Sequence, residues 1–177
     1  MIKIYSEIIG THIKEENSAE VLALLRDLII DPDTGKVEAL WVKPLTLPLS
    51  NAIIQIQDIL DWKKHVYIKG DQVMADPADI IRIVDILSKN RLILGNRVVG
   101  ANGKDYGRVY NVDFDSKSYY LKNISCQKSL LGLFGYESRL FPYERILEVL
   151  EDRILVDDKS QQEEKIPLKG TSVDPAV

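Results

Sequence analysis

The chain carries two copies of one pattern. Leu28 and Val112 stand 84 residues apart, as do Asp31 and Asp115; Ile54 and Phe141 stand 87 apart, and His65 and Arg153 88. Glu7–Ile13 likewise matches Leu92–Val98. Ordered self-similarity at a near-constant spacing is the mark of a tandem duplication, and each copy is then one folding unit. The fold class expected is mainly β, two tandem small barrels joined by one α-helix.

The second copy is the clearer. Val98–Asp115 reads strand, turn, strand, turn. Asn102-Gly103 predicts a type I′ hairpin turn, which needs positive φ at both central residues. Gly107 interrupts a strand pattern, where glycine marks a bulge or tight bend. In the first copy, Val21–Asp31 contains Leu and Ala that favour a helix. Its match to the β-formers around Gly107 predicts a strand instead. Asp31-Pro32-Asp33-Thr34-Gly35-Lys36 predicts a turn, since Pro presets φ and Gly accepts the left-handed conformation. Acids at alternate positions there resemble the start of a calcium loop. The sixth position is not Gly and the twelfth is Val42, so the hairpin turn is preferred.

Between the copies, Asp76 suits an N-cap, Pro77 the first helical position and Asn90 a C-cap. Ile80, Val84 and Leu87 share one face, with Ile83 beside them. The expected organisation is a first unit over residues 1–75, a connecting helix over 76–90, a second unit over 91–157 and a flexible C-terminal tail over 158–177. Within that polar tail, Ile166-Pro167-Leu168 is an apolar piece able to dock as a short extended segment.

Composition narrows the function. Net charge is −4 and the sequence pI about 5.3, against a nucleic-acid binder working by bulk charge. Residues 1–75 carry net −3 and residues 90–157 net +1, so the two units present different electrostatic surfaces. The single Cys126 forms no internal disulfide and suits a reducing compartment. No secretory leader or membrane-spanning run is read, and a soluble, cytoplasmic protein is expected. His12, His65 and Cys126 lack the converging partners that a metal or acid–base site needs. Catalytic, metal and cofactor-binding residues are all expected to be absent, and no enzyme is predicted.

Gly95, Val98, Asn102-Gly103, Gly107-Arg108-Val109, Val112 and Asp115, followed by Pro142-Tyr143-Glu144-Arg145-Ile146 and Ile154-Leu155-Val156, resemble the PRC-barrel family. The first copy resembles it through Gly10, Ile30–Val37, Asp58-Ile59 and Val66-Tyr67-Ile68. Together the copies cover about residues 3–157. The family is a small β-barrel, named for the cytoplasmic domain of the photosynthetic reaction-centre H subunit. It also forms the C-terminal domain of a ribosome maturation factor that binds a ribosomal protein. The resemblance implies a non-catalytic, protein-binding adaptor or scaffold. The first copy departs from it, with Ala23 in place of Gly107 and Ser18 or Ala19 in place of Gly103.

Two apolar stretches fall where loops, normally polar, are expected. They are Pro44–Ser50, with Leu45, Leu47 and Leu49, and Gln127–Arg139, with Leu130, Leu131, Leu133, Phe134 and Tyr136. Each either folds back over its own barrel or docks a partner. The second is the stronger docking candidate, because aromatic residues are enriched in binding hot spots. The partner expected is another protein, with a second copy of the chain and peripheral membrane contact left open. An alternative is an RNA or ribosome maturation factor using Arg97, Lys104, Arg108, Lys122 and Lys128 with Tyr106 or Tyr110. A further one is a peripheral subunit of a photosynthetic or other membrane complex.

Overall fold

A computed structural model describes residues 1–18, 20–47, 52–129 and 136–158. In chain order the strands and helices are β1 (Ile2–Ile4), α1 (Tyr5–Ile8), β2 (His12–Glu15), β3 (Val21–Ile30), β4 (Val37–Pro44), β5 (Ala52–Gln55), β6 (Ile59–Trp62), β7 (Val66–Ile68), α2 (Ile81–Ser88), β8 (Arg97–Gly100), β9 (Asp105–Asp115), β10 (Leu121–Ser129), β11 (Tyr136–Pro142), β12 (Ile146–Val149) and β13 (Arg153–Val156). The expected region around the tail lies beyond the described residues after Asp158.

The first sheet runs β5-β4-β3-β2-β7-β6 and the second β11-β10-β9-β8-β13-β12. Position for position this is one topology twice, down to the parallel pairs β2–β7 and β8–β13. In each sheet the first and last strands of the order are consecutive in the chain. A three-residue 3-10 turn joins them, Ile56–Asp58 in one and Tyr143–Arg145 in the other. So short a link forces each sheet to curl until its ends approach, which makes a partly open barrel.

The duplication extends to backbone irregularities. Leu22 is an extra residue in β3 opposite β2, and Tyr106 in β9 opposite β8. Arg26 is extra opposite β4, and Tyr110 opposite β10. Both pairs of bulges are 84 residues apart. Bulges add twist and let a short sheet curl. Beside the first of them Gly107 takes φ +85°. Ala23, its counterpart, is not among the residues with positive φ, so the first barrel makes the same bulge without a left-handed residue. The β8–β9 turn differs from the type I′ expectation. Gly103 alone has positive φ, and its N–H donates to Gly100 O at 2.9 Å. This is a type I turn closed by a left-handed glycine, a form that an extra loop residue permits.

The expectation for β3 as a strand holds, and its Leu and Ala face a core rather than a helix groove. Ile13, Leu25, Leu40, Val66 and Ile68 fill the first barrel; Val98, Val112, Phe114, Ile124, Phe141 and Ile154 fill the second. They form one continuous apolar cluster, because the units meet along their hairpin turns. Val37 N–H donates to Tyr119 O at 2.8 Å, and Leu121 N–H to Gly35 O at 2.9 Å. Those two bonds exchange 84-residue counterparts, as in a two-fold dimer contact. Trp62 packs on Phe114, β1 pairs antiparallel with the end of β9, and Tyr143 OH donates to Pro32 O at 3.2 Å.

The connecting segment is shorter as an α-helix than the sequence suggests. Asp76 caps a 3-10 turn (Pro77–Asp79), accepting from Ala78 N–H at 2.8 Å. Ile80 is extended, and α2 begins after it. Its buried face is Ile83 and Ile86, against Ile29, Ala39 and Ile53 on the outside of the first barrel. The expected face is turned: Val84 and Leu87 are partly exposed and Ile81 is 88% exposed. Apolar burial and charge agree on this rotation. Arg82 pairs with buried Asp31 at 2.6 Å, and Lys89 with Asp33 at 2.9 Å. The rotation that puts Ile83 and Ile86 on the sheet also turns those cations toward the Asp31–Gly35 turn. The turn's acids are thus occupied by Arg82, Lys89 and Arg91.

Candidate functional site

The two apolar loops part company. In the first barrel, Leu45 N–H donates to Leu22 O at 2.8 Å and Leu47 packs against the shared core. Leu47 is thus turned to the core, while the Leu45 side chain is 52% exposed. Leu49 lies outside the described residues. In the second barrel, β10 and β11 pair as far as Ser129 and Tyr136 and carry the hairpin outward. At its described tip the Tyr136 side chain is 62% exposed. Leu130, Leu131, Leu133 and Phe134 lie outside the described residues.

The outer face of β9–β10–β11 continues from that tip. Cross-strand partners share a face, so Asp113, Asn123, Ser125 and Leu140 line it, with Gln127 and Ser138 nearer the tip. Asn123 donates to both carboxylate oxygens of Asp113 at 3.0 Å, so those polar groups satisfy each other. Leu140 is 44% exposed, and Tyr110, thrust out by its bulge, is partly exposed. Sequence reasoning missed Leu140. The readable signal was an apolar residue on the polar phase of a strand that buries Phe141.

The basic residues named for RNA contact are mostly engaged. Arg97 pairs with Asp105 at 2.9 Å, which holds the Asp105 carboxyl below its usual range. Arg108 donates to Gly95 O at 2.9 Å, and Lys128 to Asp105 O at 3.4 Å. Tyr106 cannot stack on a base. It is buried against Phe141, and its OH donates to Asp158 Oδ2 at 2.9 Å. Burial, with Asp158 second, pushes its pKa up to about 12. Lys104 sits over the Tyr106 ring. Lys122 and Tyr110 remain exposed.

His12 and His65 meet across the β2–β7 seam, ring centroids 5.5 Å apart and nearly parallel. His65 itself precedes β7 rather than lying in it. Cys126 is buried, its Sγ 3.6 Å from Arg139 O. Burial raises its pKa to about 12, which removes thiolate reactivity. Among the described residues no three His, Cys, Asp or Glu side chains gather as metal ligands, and no helix is long and apolar enough to cross a membrane. A groove of about 430 Å³ runs between α2 and the first barrel, lined by Trp41, Ile86, Leu87 and Leu92 with Arg26 and Arg91.

Two curled sheets, of six strands and of seven with β1, over a shared core define a small β-barrel module. Comparison with known families narrows the class. Residues 88–162 match the PRC-barrel domain, and the second unit belongs to that family. The match covers one unit; the first shares its topology and bulges. No curated protein matches the chain.

Proposed function

We propose that the protein is a non-catalytic adaptor that binds another protein through the β10–β11 hairpin of its PRC-barrel domain. The contrast between the two loops carries this reading: Leu47 is spent on the core, whereas Tyr136 stands exposed at the tip of a long hairpin. The family match supports it, since such domains serve as interaction modules. A partner would cover Tyr136 and the apolar run 130–134, whose sequence supplies the aromatic and aliphatic residue types found in binding hot spots. The engaged state of Arg97 and Arg108 and the burial of Tyr106 favour protein over RNA.

The test uses the full chain as bait in native lysate, beside Leu131→Asp/Phe134→Asp and Tyr136→Ala variants. Captured proteins should be lost from the double variant and reduced with Tyr136→Ala, while circular dichroism stays unchanged. Recovery of the same proteins by a folded double variant would rule out the hairpin as the docking site.

A further inference from the structure

The parallel seam of each barrel carries a pair of basic residues. In the second barrel Arg97 and Arg153 are partners across β8–β13. Ile13 and Val66 hold the register of Val98 and Ile154, which makes His12 and His65 the counterparts of the two arginines. The second barrel neutralises its pair from within. Asp105 pairs with Arg97 at 2.9 Å and Asp152 with Arg153 at 3.5 Å, and the Asp152 charge also acts on Arg97.

The first barrel has exchanged those acids. Lys14 opposes Val21 as Val99 opposes Asp105, so a valine stands in the place of Asp105 and a lysine in the place of Val99. Counting back from Val66 and from Ile154, Lys63-Lys64 of the β6–β7 turn replaces Glu151-Asp152. The result is a basic patch of His12, Lys14, Lys64 and His65 in a unit whose net charge is −3. None of the four makes an ion pair among the described residues. On β6, Asp61 stands opposite Tyr67 and is taken by Lys63 at 3.0 Å. On the other side β3 contributes Leu24 and Val21, and beyond Leu24 stands Lys43 of β4. The imidazoles lie nearly parallel with centroids 5.5 Å apart. His65 Nδ1 is shielded from water with no hydrogen-bond partner among the described residues, a group whose bonding capacity is unspent.

We propose that His12, Lys14, Lys64 and His65 bind a dianionic oxyanion of the phosphate class, which takes the place that Asp105 and Asp152 hold in the second barrel. Its charge and several acceptor oxygens suit two ammonium groups and the N–H donors of two imidazoles. Binding is coupled to protons. Desolvation, then Lys14, His12 and Lys64, lower the His65 pKa in the free protein. A dianion beside the ring favours its charged form, so the complex takes up a proton and binding strengthens as pH falls. The site belongs to the first barrel and is independent of the β10–β11 hairpin reading.

Sulfate, a dianion at every pH used, is titrated into the isotope-labelled full chain at low ionic strength and followed by amide NMR shifts. Shifts should saturate and centre on His12, Lys14, Lys64 and His65, with a Kd about threefold or more lower at pH 5.5 than at pH 7.5. Lys64→Asp, on an exposed turn, restores the acid of the second barrel and should weaken binding about tenfold or more. Lys122→Met, a cation elsewhere, should leave it unchanged, and His65→Gln should flatten the pH dependence. Pyrophosphate and phosphatidylcholine vesicles containing phosphatidate separate the sources. Displacement of sulfate by pyrophosphate without vesicle binding marks a soluble phosphate compound; vesicle binding that pyrophosphate competes away marks a lipid headgroup. No saturable shifts at these residues, equal affinity in Lys64→Asp, or a Kd unchanged with pH would overturn the proposal. Failure of both phosphate probes to displace sulfate would overturn the ligand class.

Discussion

Gly107 offers the sharpest test of how the second barrel closes. It has φ +85°, and a Cβ there would fall onto the Gln127 carbonyl and 2.7 Å from Lys128 Cα. Those atoms are backbone of β10 and cannot swing aside as a side chain could. Gly107→Ala therefore carries two costs. Placing alanine in the left-handed region costs about 1–2 kcal/mol. Forcing β10 away from the bulge adds about 1–3 kcal/mol, the range for overpacking. Gly103 separates the two, since it has φ +84° and nothing within 4 Å of its would-be Cβ. Gly103→Ala should then cost only the first term. For a chain of this size 1 kcal/mol moves Tm by about 2–4 °C, so Gly103→Ala should lower Tm by about 2–8 °C and Gly107→Ala by about 4–20 °C. Thermal melts followed by circular dichroism read the Tm shifts, and urea melts with midpoint and slope fitted separately read the free-energy costs. Equal losses from the two substitutions would refute the argument that close approach of β10 is what requires glycine at position 107.

Two further outcomes follow from the packing and the ionisation. Ile83→Ala should destabilise by about 2–5 kcal/mol in urea melts, because Ile83 is buried against Ile29, Ala39 and Ile53; Ile81→Ala, on the opposite face of α2, should change stability by less than about 0.5 kcal/mol. The His65 pKa is lowered below 6.5, first by desolvation and then by Lys14, His12 and Lys64, so the unfolded chain takes up this proton before the folded one. Stability tied to His65 is therefore complete above pH 6.5 and declines as pH falls below it; the drop in urea midpoint between pH 7.5 and 5.5 should be smaller in His65→Gln than in wild type, and an equal drop would show that this imidazole does not contribute.

The repeat, the strand nature of β3 and the turn at Asp31–Gly35 were legible because each rests on local chemistry. Bulge positions and turn glycines recur at fixed offsets, and turn residues have few conformations to choose from. The inward face of α2 was not legible. Its sequence offers two apolar stripes, Ile80-Val84-Leu87 and Ile83-Ile86, and the choice between them rests on where the patch of Ile29, Ala39 and Ile53 and the acids Asp31 and Asp33 stand in space. The type I′ expectation at Asn102-Gly103 failed for a related reason: the dipeptide reports that a left-handed residue is present, not how many residues the loop contains. At the candidate site, Tyr136 was readable from the apolar run around it. The fate of Leu47 was not, since an apolar loop that seals a barrel and one that docks a partner have the same composition.

The join between the units bears on whether the family domain is self-sufficient. Val37 to Tyr119 and Leu121 to Gly35 are reciprocal bonds between 84-residue counterparts, so the two halves of the chain meet as two subunits of a dimer would. At the centre, Gly35 has φ +69° and its would-be Cβ falls on the Tyr143 ring, while its counterpart Tyr119 adopts φ +62° and lies near Trp62 and Phe114. A fragment of residues 88–158 keeps the six strands of the second barrel but loses β1 from β9, Trp62 from Phe114 and both reciprocal bonds. It retains Tyr119 and Leu121, which are self-complementary in that geometry: Leu121 N–H of one copy can donate to Tyr119 O of another. The fragment should therefore associate as a dimer by light scattering, with a Tm that rises with concentration as mass action requires. The substitution Leu121→Pro removes the donor and should give a monomer with faster exchange along β9. A wild-type fragment that stays monomeric, with β9 amides as protected as in the full chain, would show that the first barrel is a neighbour of the PRC-barrel domain and not a part of its stability.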